Sequence, residues 1–310
     1  MTTVEPNNKK TASFKVVDAI YLAFIILPIL GMILLKVLFT PASEGVQISG
    51  ALIFFTIKMP IQNLPITESQ VNSLGVVLIV LFACLYLTHG IRAKVKTKRQ
   101  ILVEWMIEKV DGLVKDNMGD FFKNFGPFIA AILAISAVSS LLTLFGLYAP
   151  TADINIVAGW SIFVFGVITY HKAICGPIDY FKSFGDPVAP LAPLNVISEF
   201  ATPVSMAFRH YGNVLSGSVV GILVVTALQG LSNALFGWLP GFLGDISFLG
   251  IGIPAILSIY FDVFSGCLQA FIFAMLTMLY ISGAFPEEKY VLKKQLKAEK
   301  KLKKLQAKNN

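Results

Sequence analysis

The chain is poor in charge. Only 14% of its 310 residues are Asp, Glu, Lys or Arg, where soluble domains carry about 25%. With 55% apolar residues, 25 phenylalanines and a mean hydropathy of +0.74, that deficit excludes an ordinary soluble enzyme. An integral membrane protein is expected. Cysteine is scarce too. Cys84, Cys175 and Cys267 are odd in number and lie in or beside apolar runs; no Cys/His spacing fits a ligand set, so neither a disulfide framework nor a metal site is expected. His171 and His210 lack a ligand companion and are expected at polar interfaces. No Gly-Lys pair occurs anywhere, which removes the phosphate-cradling P-loop. No cofactor and no catalytic ATP site are expected in this chain. Among the C-terminal lysines the only aromatic residue is Tyr290, too little stacking surface for nucleic acid to be a partner. No heptad array, solenoid repeat or low-complexity linker is visible.

What the chain does have is long apolar runs. Stretches near 17–38, 71–91, 127–148 and 154–170 can each span a bilayer. Those at 191–232 and 247–284 far exceed the about 20 residues that one crossing needs. The expected fold is an all-α membrane protein with about six membrane helices, the last two stretches being strongly tilted helices or hairpins. The first stretch follows Lys9, Lys10 and Lys15 as a signal peptide would. Phe39-Thr40-Pro41-Ala42-Ser43-Glu44 is a poor cleavage site, however, so an uncleaved helix is expected. In 100–125, Ile101, Leu102, Trp105, Leu113 and Val114 alternate at helical spacing with Glu104, Glu108, Lys109, Asp111, Lys115 and Asp116. That pattern predicts an amphipathic helix lying on the cytoplasmic membrane face in a packing role.

The cations set the orientation. Arg92, Lys94, Lys96, Lys98 and Arg99 come without an acid, and residues 287–310 hold nine lysines against Glu287, Glu288 and Glu299. The positive-inside rule places both groups in the cytoplasm. The resulting division is a cytoplasmic N-terminus at 1–16, an extra membrane helix at 17–38 and an outside loop at 39–70. A membrane domain at 71–286 and a Lys-rich cytoplasmic tail at 287–310, attracted to anionic lipid, complete it.

Against this apolar background Arg209 stands out. Its guanidinium cannot shed its charge, and placing it at the bilayer centre costs at least about 2.5–3.5 kcal/mol. The nearest acid upstream is Glu199, and none follows until Asp245. Its counter-charge is therefore expected on another chain. At about 100° per residue, Thr202, Ser205, Arg209, Asn213 and Ser216 fall on one narrow face. Glu199 lies a quarter-turn away and nearly three turns toward the cytoplasmic end. In the last helix Asp262, Gln269 and Tyr280 share a face that Ser258 extends. These stripes are expected to face each other or a water-filled cavity, although small hydroxyls also serve as ordinary interhelical glue. Gly212, Gly217 and Gly221 allow close helix approach, Pro203 permits a bend, and Gly250, Gly252 and Pro254 suit a turn.

Two separated motifs carry a family likeness. Arg209-His210-Tyr211-Gly212-Asn213, preceded by Pro203-Val204-Ser205, resembles the signature of subunit a of the F-type rotary ATP synthase. Leu268-Gln269-Ala270-Phe271-Ile272-Phe273, continuing through Leu276-Thr277 to Tyr280, resembles a second. Thr151-Ala152-Asp153-Ile154-Asn155 resembles a third, and the likeness runs in order over about 50–288.

The resemblance implies an ion-conducting stator wedged against a rotating ring of subunit c, its two long tilted helices forming a hairpin within an ion-translocating domain. Arg209 would meet each ring carboxylate and separate two half-channels. Asn213, Gln269 and Tyr280 would support it or line the path, and Glu199 would line the cytoplasmic half-channel. Many members place a Glu/His pair in the outer half-channel where this chain has Ser218 and Asp262, which leaves Asp262 as the titrating relay. The implied partners are the subunit c ring, peripheral stalk subunit b, the remaining ATP synthase subunits and membrane lipid. The implied location is the bacterial plasma membrane, multi-pass. The ion, proton or sodium, stays open, because the selecting site would be on the ring. The competing reading is a secondary transporter or channel in which Arg209 binds an anionic substrate. Such folds show two related halves, and no second half with its own Arg is visible.

In a chain whose native cysteines are replaced, a cysteine at position 98 or 303 should label only from inside, and one at position 43 from outside. Outside labelling at 98 or 303 would overturn the orientation.

Overall fold

A computed structural model describes residues 8–40, 50–60, 62–91, 97–174, 176–185, 189–237, 256, 259–288, 290–296 and 299. Without water in a bilayer core, every backbone polar group must be satisfied inside its own segment, and the apolar runs accordingly fold as helices. Helix α1, Asn8–Phe39, leads into an antiparallel hairpin of β1, Ile53–Ile57, and β2, Leu64–Thr67. Helix α2, Glu68–Thr88, starts where the Thr67 N–H donates to Gln70 Oε1 at 3.3 Å. Helix α3, Lys98–Met118, is capped by Thr97 Oγ1, which accepts from Gln100 N at 3.2 Å. A 3-10 turn at Asp120–Phe125 feeds α4, Gly126–Leu141. Helix α5, Ile154–Ala173, begins at Asp153, whose carboxylate accepts from Asn155 N at 2.9 Å. Short α6, Pro177–Ser183, precedes the 45-residue α7, Ala192–Phe236. A π-helical stretch, Ile259–Ser265, then opens α8, Gly266–Ala284.

Among the described residues six helical segments are long and apolar enough to cross a membrane: Lys15–Phe39, Glu68–Thr88, Asp120–Phe145, Ile154–Ala173, Ala192–Leu235 and Ile259–Ala284. The all-α membrane class read from the apolar runs is what the structure has. At 1.5 Å per residue α7 is about 67 Å long, roughly twice the hydrocarbon thickness, so it must lie steeply inclined. The turn that would close α7 and α8 into a hairpin, with Gly250, Gly252 and Pro254, lies outside the described residues, as does Ser258.

Three local features differ from the sequence reading. The segment expected as an outside loop contains the β hairpin, built from the β-branched and aromatic run Ile53-Phe54-Phe55-Thr56-Ile57. The amphipathic helix stops at Met118 rather than near 125, because Gly119 takes φ +79°, a left-handed cap that a side chain would strain. That helix also has two apolar faces. Val103, Val114 and Met118 are buried, whereas Ile101, Leu102, Trp105 and Met106 remain exposed on the side available to lipid.

Helix α8 is the central post. Its Phe273, Ala274, Met278 and Ile281 pack with Val114 of α3, Ile129 of α4, Val164 and Ile168 of α5, and Met206 of α7. Lipid tails are as apolar as leucine, so close approach and fit hold such helices together more than hydrophobic drive does. Gly266 shows this: a Cβ there would lie 2.6 Å from Ser140 Cβ. A smaller cluster joins α1 to α2 through Met32, Val76 and Ile79. Gly266→Val should destabilise the protein by about 1–3 kcal/mol through overpacking. Gly112→Ala, where a Cβ meets nothing within 4 Å, should be neutral or stabilise by about 0.5–1 kcal/mol. Thermal unfolding in detergent checks both, and equal midpoints would refute the contact.

Candidate functional site

Helix α7 packs through Pro203, Met206, Ala207 and His210, all buried. That choice of face turns Arg209 outward, exposed together with Ser205, Asn213 and Ser216, with Thr202 half-buried beside them. Among the described residues Arg209 makes no ion pair and no hydrogen bond. The polar stripes of α7 and α8 meet at one point, one turn from Arg209. There Asn213 Nδ2 donates to Gln269 Oε1 at 2.6 Å, and Gln269 is buried. His210 is no polar interface residue. It is fully buried, edge-on to Phe273 at 5.3 Å and Trp160 at 6.1 Å, and neither ring nitrogen has a partner among the described residues. His171 Nδ1 donates to Val167 O at 2.8 Å, within the aromatic group of Phe122 and Phe125.

A second polar group lies toward the end of the bundle that carries Arg99, here the basic side. Glu199, Thr202 and Tyr280 line a cavity of about 230 Å³ with Lys172. Lys172 Nζ pairs with Glu199 Oε2 at 2.5 Å. The other oxygen, Oε1, is buried without a partner among the described residues. Burial, and then the Glu199 charge, push the neighbouring Tyr180 phenol up from its ordinary value. The structure thus unites Glu199 with Tyr280 and adds Lys172, which sequence reasoning missed. Its signal was a lone lysine in the last turn of a span, easily taken for an interfacial anchor.

A third polar group lies at the opposite, hairpin side. Buried Glu68 accepts from Tyr148 N at 3.1 Å and pairs with Lys36 Nζ at 3.2 Å. Ser69 Oγ donates to Asp153, and Asn72 Nδ2 donates to Tyr148 O at 2.8 Å. Burial, followed by Asp153, Tyr211 and Glu68, pushes the Tyr148 phenol up, so it stays protonated and donates to Ala152 O at 3.0 Å. The turn Pro150–Ala152 touches α2, α4, α5 and α7. On these elements Asn72 Oδ1 and the hydroxyls of Ser136, Ser139, Thr151 and Ser161 are buried with no protein partner among the described residues. Buried polar atoms of this kind call for water.

Of the two residues expected in the outer path, the structure describes the side chain of Ser218 alone. Ser218 is exposed, and its hydroxyl donates to Leu215 O of its own helix at 2.8 Å. The Asp262 side chain lies outside what the structure describes. Its backbone falls in the π-helical stretch, whose turns are wider than the α-helical ones on which the spacing between positions 262 and 269 was counted. Among the described residues no three His, Cys, Asp or Glu side chains could hold a metal ion.

A family model for the ATP synthase A chain matches residues 71–282. The chain belongs to that family. It is 33% identical to ATP synthase subunit a of Priestia megaterium over 237 residues, 72% of this chain and 94% of the relative. Against the Bacillus pumilus subunit a it is 31% identical over 234 residues, 71% and 93% of the two chains. Against the sodium ion specific subunit a of Propionigenium modestum it is 25% identical over 248 residues, 74% and 78%. The chain is thus a stator subunit of an ATP synthase membrane sector, multi-pass in the bacterial plasma membrane, with other subunits of that synthase as partners. An anion-binding transporter is not favoured. Helix α1 and the β hairpin precede the region the ATP synthase A chain model matches.

Asn213→Ala strands the buried Gln269 amide, which should cost about 1–3 kcal/mol and impair ATP-driven pumping. Ser218→Ala, touching only its own helix, should stay within about 0.5 kcal/mol. Thermal unfolding and pumping of the purified complexes compare them, and equal effects would deny the amide pair a special role.

Proposed function

We propose that Arg209 is the fixed cation past which the carboxylates of a subunit c ring rotate. The observation that carries this is an outward-facing guanidinium, unpaired among the described residues, one turn from the Asn213–Gln269 pair. A cation in that position favours an ionised ring site by Coulomb attraction in a low-dielectric gap, which unloads the bound ion. It also repels ions that would pass directly between the two aqueous routes.

The basic-side cavity with Glu199, Tyr280 and Lys172 serves as the cytoplasmic half-channel. The hairpin-side group with Asn72, Thr151 and Asp153 serves as the outer one, with Asp262 as its relay toward the ring and Ser218 at its margin. An ion then crosses only by riding the ring between the two. The gradient supplies about 2.3 kcal/mol per charge per 100 mV for that rotation. In this reading residues 71–286 are the ion-translocating domain, the N-terminus and the Lys-rich tail are cytoplasmic, and subunit b braces the stator.

Arg209→Ala removes both the attraction and the barrier. ATP synthesis and coupled pumping should vanish, and membranes stripped of the catalytic head should leak ions. Arg209→Lys keeps the charge but loses the planar fork, so it should block the leak better than it restores coupling. Dye-monitored flux in membrane vesicles reads all three chains. Near-normal coupled pumping by a properly assembled Ala variant would remove the proposal.

A further inference from the structure

Helix α1 lies outside the region that the family model matches, yet charged contacts fasten it to the core at both ends. On the basic side Asp18 Oδ1 receives His89 Nδ1 at 2.9 Å and Arg99 Nη1 at 3.2 Å. Arg99 also donates to His89 O at 2.8 Å and lies 4.7 Å over the Tyr86 ring. On the hairpin side Lys36 Nζ pairs with Glu68 Oε1 at 3.2 Å and donates to Gly146 O at 2.7 Å. Asp18 and Lys36 are separated by about 27 Å of helix, close to one hydrocarbon thickness. Met32 fills the space over Gly75 between them, and Phe24 stacks on Phe82 at 4.7 Å.

The two ends are not equivalent. Asp18 touches His89 and Arg99, which belong to none of the three polar groups, and so anchors α1. Lys36 touches the hairpin-side group itself. Glu68, 2% exposed, is bonded to Tyr148 N, whose carbonyl holds Asn72, and Ser69 beside it holds Asp153. Gly146, the other acceptor, has φ +69° in the same connection. A single ammonium therefore ties α2 to the turn that presents Tyr148 and Asp153 toward α7. The groups that meet Glu68 are Lys36 of α1 and Tyr148 of the turn; Tyr148 in turn faces Asp153 before α5 and Tyr211 of α7.

We propose that Lys36, brought in by this additional membrane helix, is a positioning residue of the outer half-channel. It neutralises buried Glu68 and fixes the Gly146–Tyr148 turn in the geometry that an ion path needs. The inference rests on the hairpin-side group being that half-channel. Without Lys36 the buried carboxylate has no counter-charge among the described residues, and the turn must open to hydrate it.

The test uses whole ATP synthase complexes in vesicles, with ATP-driven pumping and passive flux read at equal assembly. Lys36→Met should lower both by about tenfold, as expected for a buried charge left unpaired, and Lys36→Arg should retain most activity. The double variant Lys36→Met with Glu68→Gln should recover most of the loss, because no buried charge is then unpaired; a purely steric role would give no such rescue. If Lys36→Met does not assemble, Lys36→Gln takes its place in the same comparison. Wild-type flux in the neutral variant, or a double variant no better than the single one, overturns the proposal. Asp153→Asn reports on the half-channel reading separately. Normal flux there, with the charge rescue intact, rejects Lys36 as a residue of an ion path; lost flux there, without rescue, rejects Lys36 alone.

Discussion

One constraint organises this protein: a guanidinium that cannot deprotonate stands in a membrane helix whose own chain supplies it no described counter-charge. A buried partner acid would have satisfied the charge and removed its use. The packing of α7 instead buries Met206, Ala207 and His210 and leaves Arg209 on the adjacent face, turned away from the bundle, with Asn213 at the edge where α7 meets α8. Such an exposed polar stripe is unstable toward lipid and suited to a second protein surface. The family assignment supplies a complex in which such a surface exists.

Rigidity around that face comes from fit rather than from a hydrophobic drive. Gly266 brings α8 onto Ser140 of α4, and Phe273 of α8 meets both His210 and Trp160. With α8 held from several sides, Gln269 is fixed, and through it Asn213. Holding the amide within hydrogen-bond reach keeps the α7 turn that carries Arg209 in register.

Much of this was legible in the residues, and the losses have physical causes. Long apolar runs without charge mark membrane helices because lipid penalises every alternative, so the six spans stood out. Arg209 stood out for the same reason. The β hairpin did not, although Ile53-Phe54-Phe55-Thr56-Ile57 has strand chemistry, because a short apolar strand resembles part of a longer apolar segment. Lys172 and Glu199 are 27 residues apart and meet only through tertiary packing. His210 carries no local sign that both its neighbours across the bundle are aromatic. The π turns at Ile259–Ser265 carry no local sign in the sequence, since helical spacing assumes α geometry throughout.

The proposed mechanism also requires that the two polar groups not join inside the chain. Glu199 and Arg209 are ten residues apart, about 15 Å along α7, and the hairpin-side group reaches α7 near Tyr211. Between them on the inner face of α7 lie buried Met206, Ala207 and His210; Met206 shares the core cluster of Phe273, and His210 meets Phe273 and Trp160. An ion moving there would have to shed its water among aromatic and aliphatic groups, at a cost of several kcal/mol or more. The exposed side of α7 offers no such dry barrier, and there Arg209 itself repels a cation. In the proposed mechanism, packing thus closes the inner route and charge closes the outer one. What stays open is a carrier that brings its own carboxylate and moves laterally past Arg209, the motion a rotating ring provides.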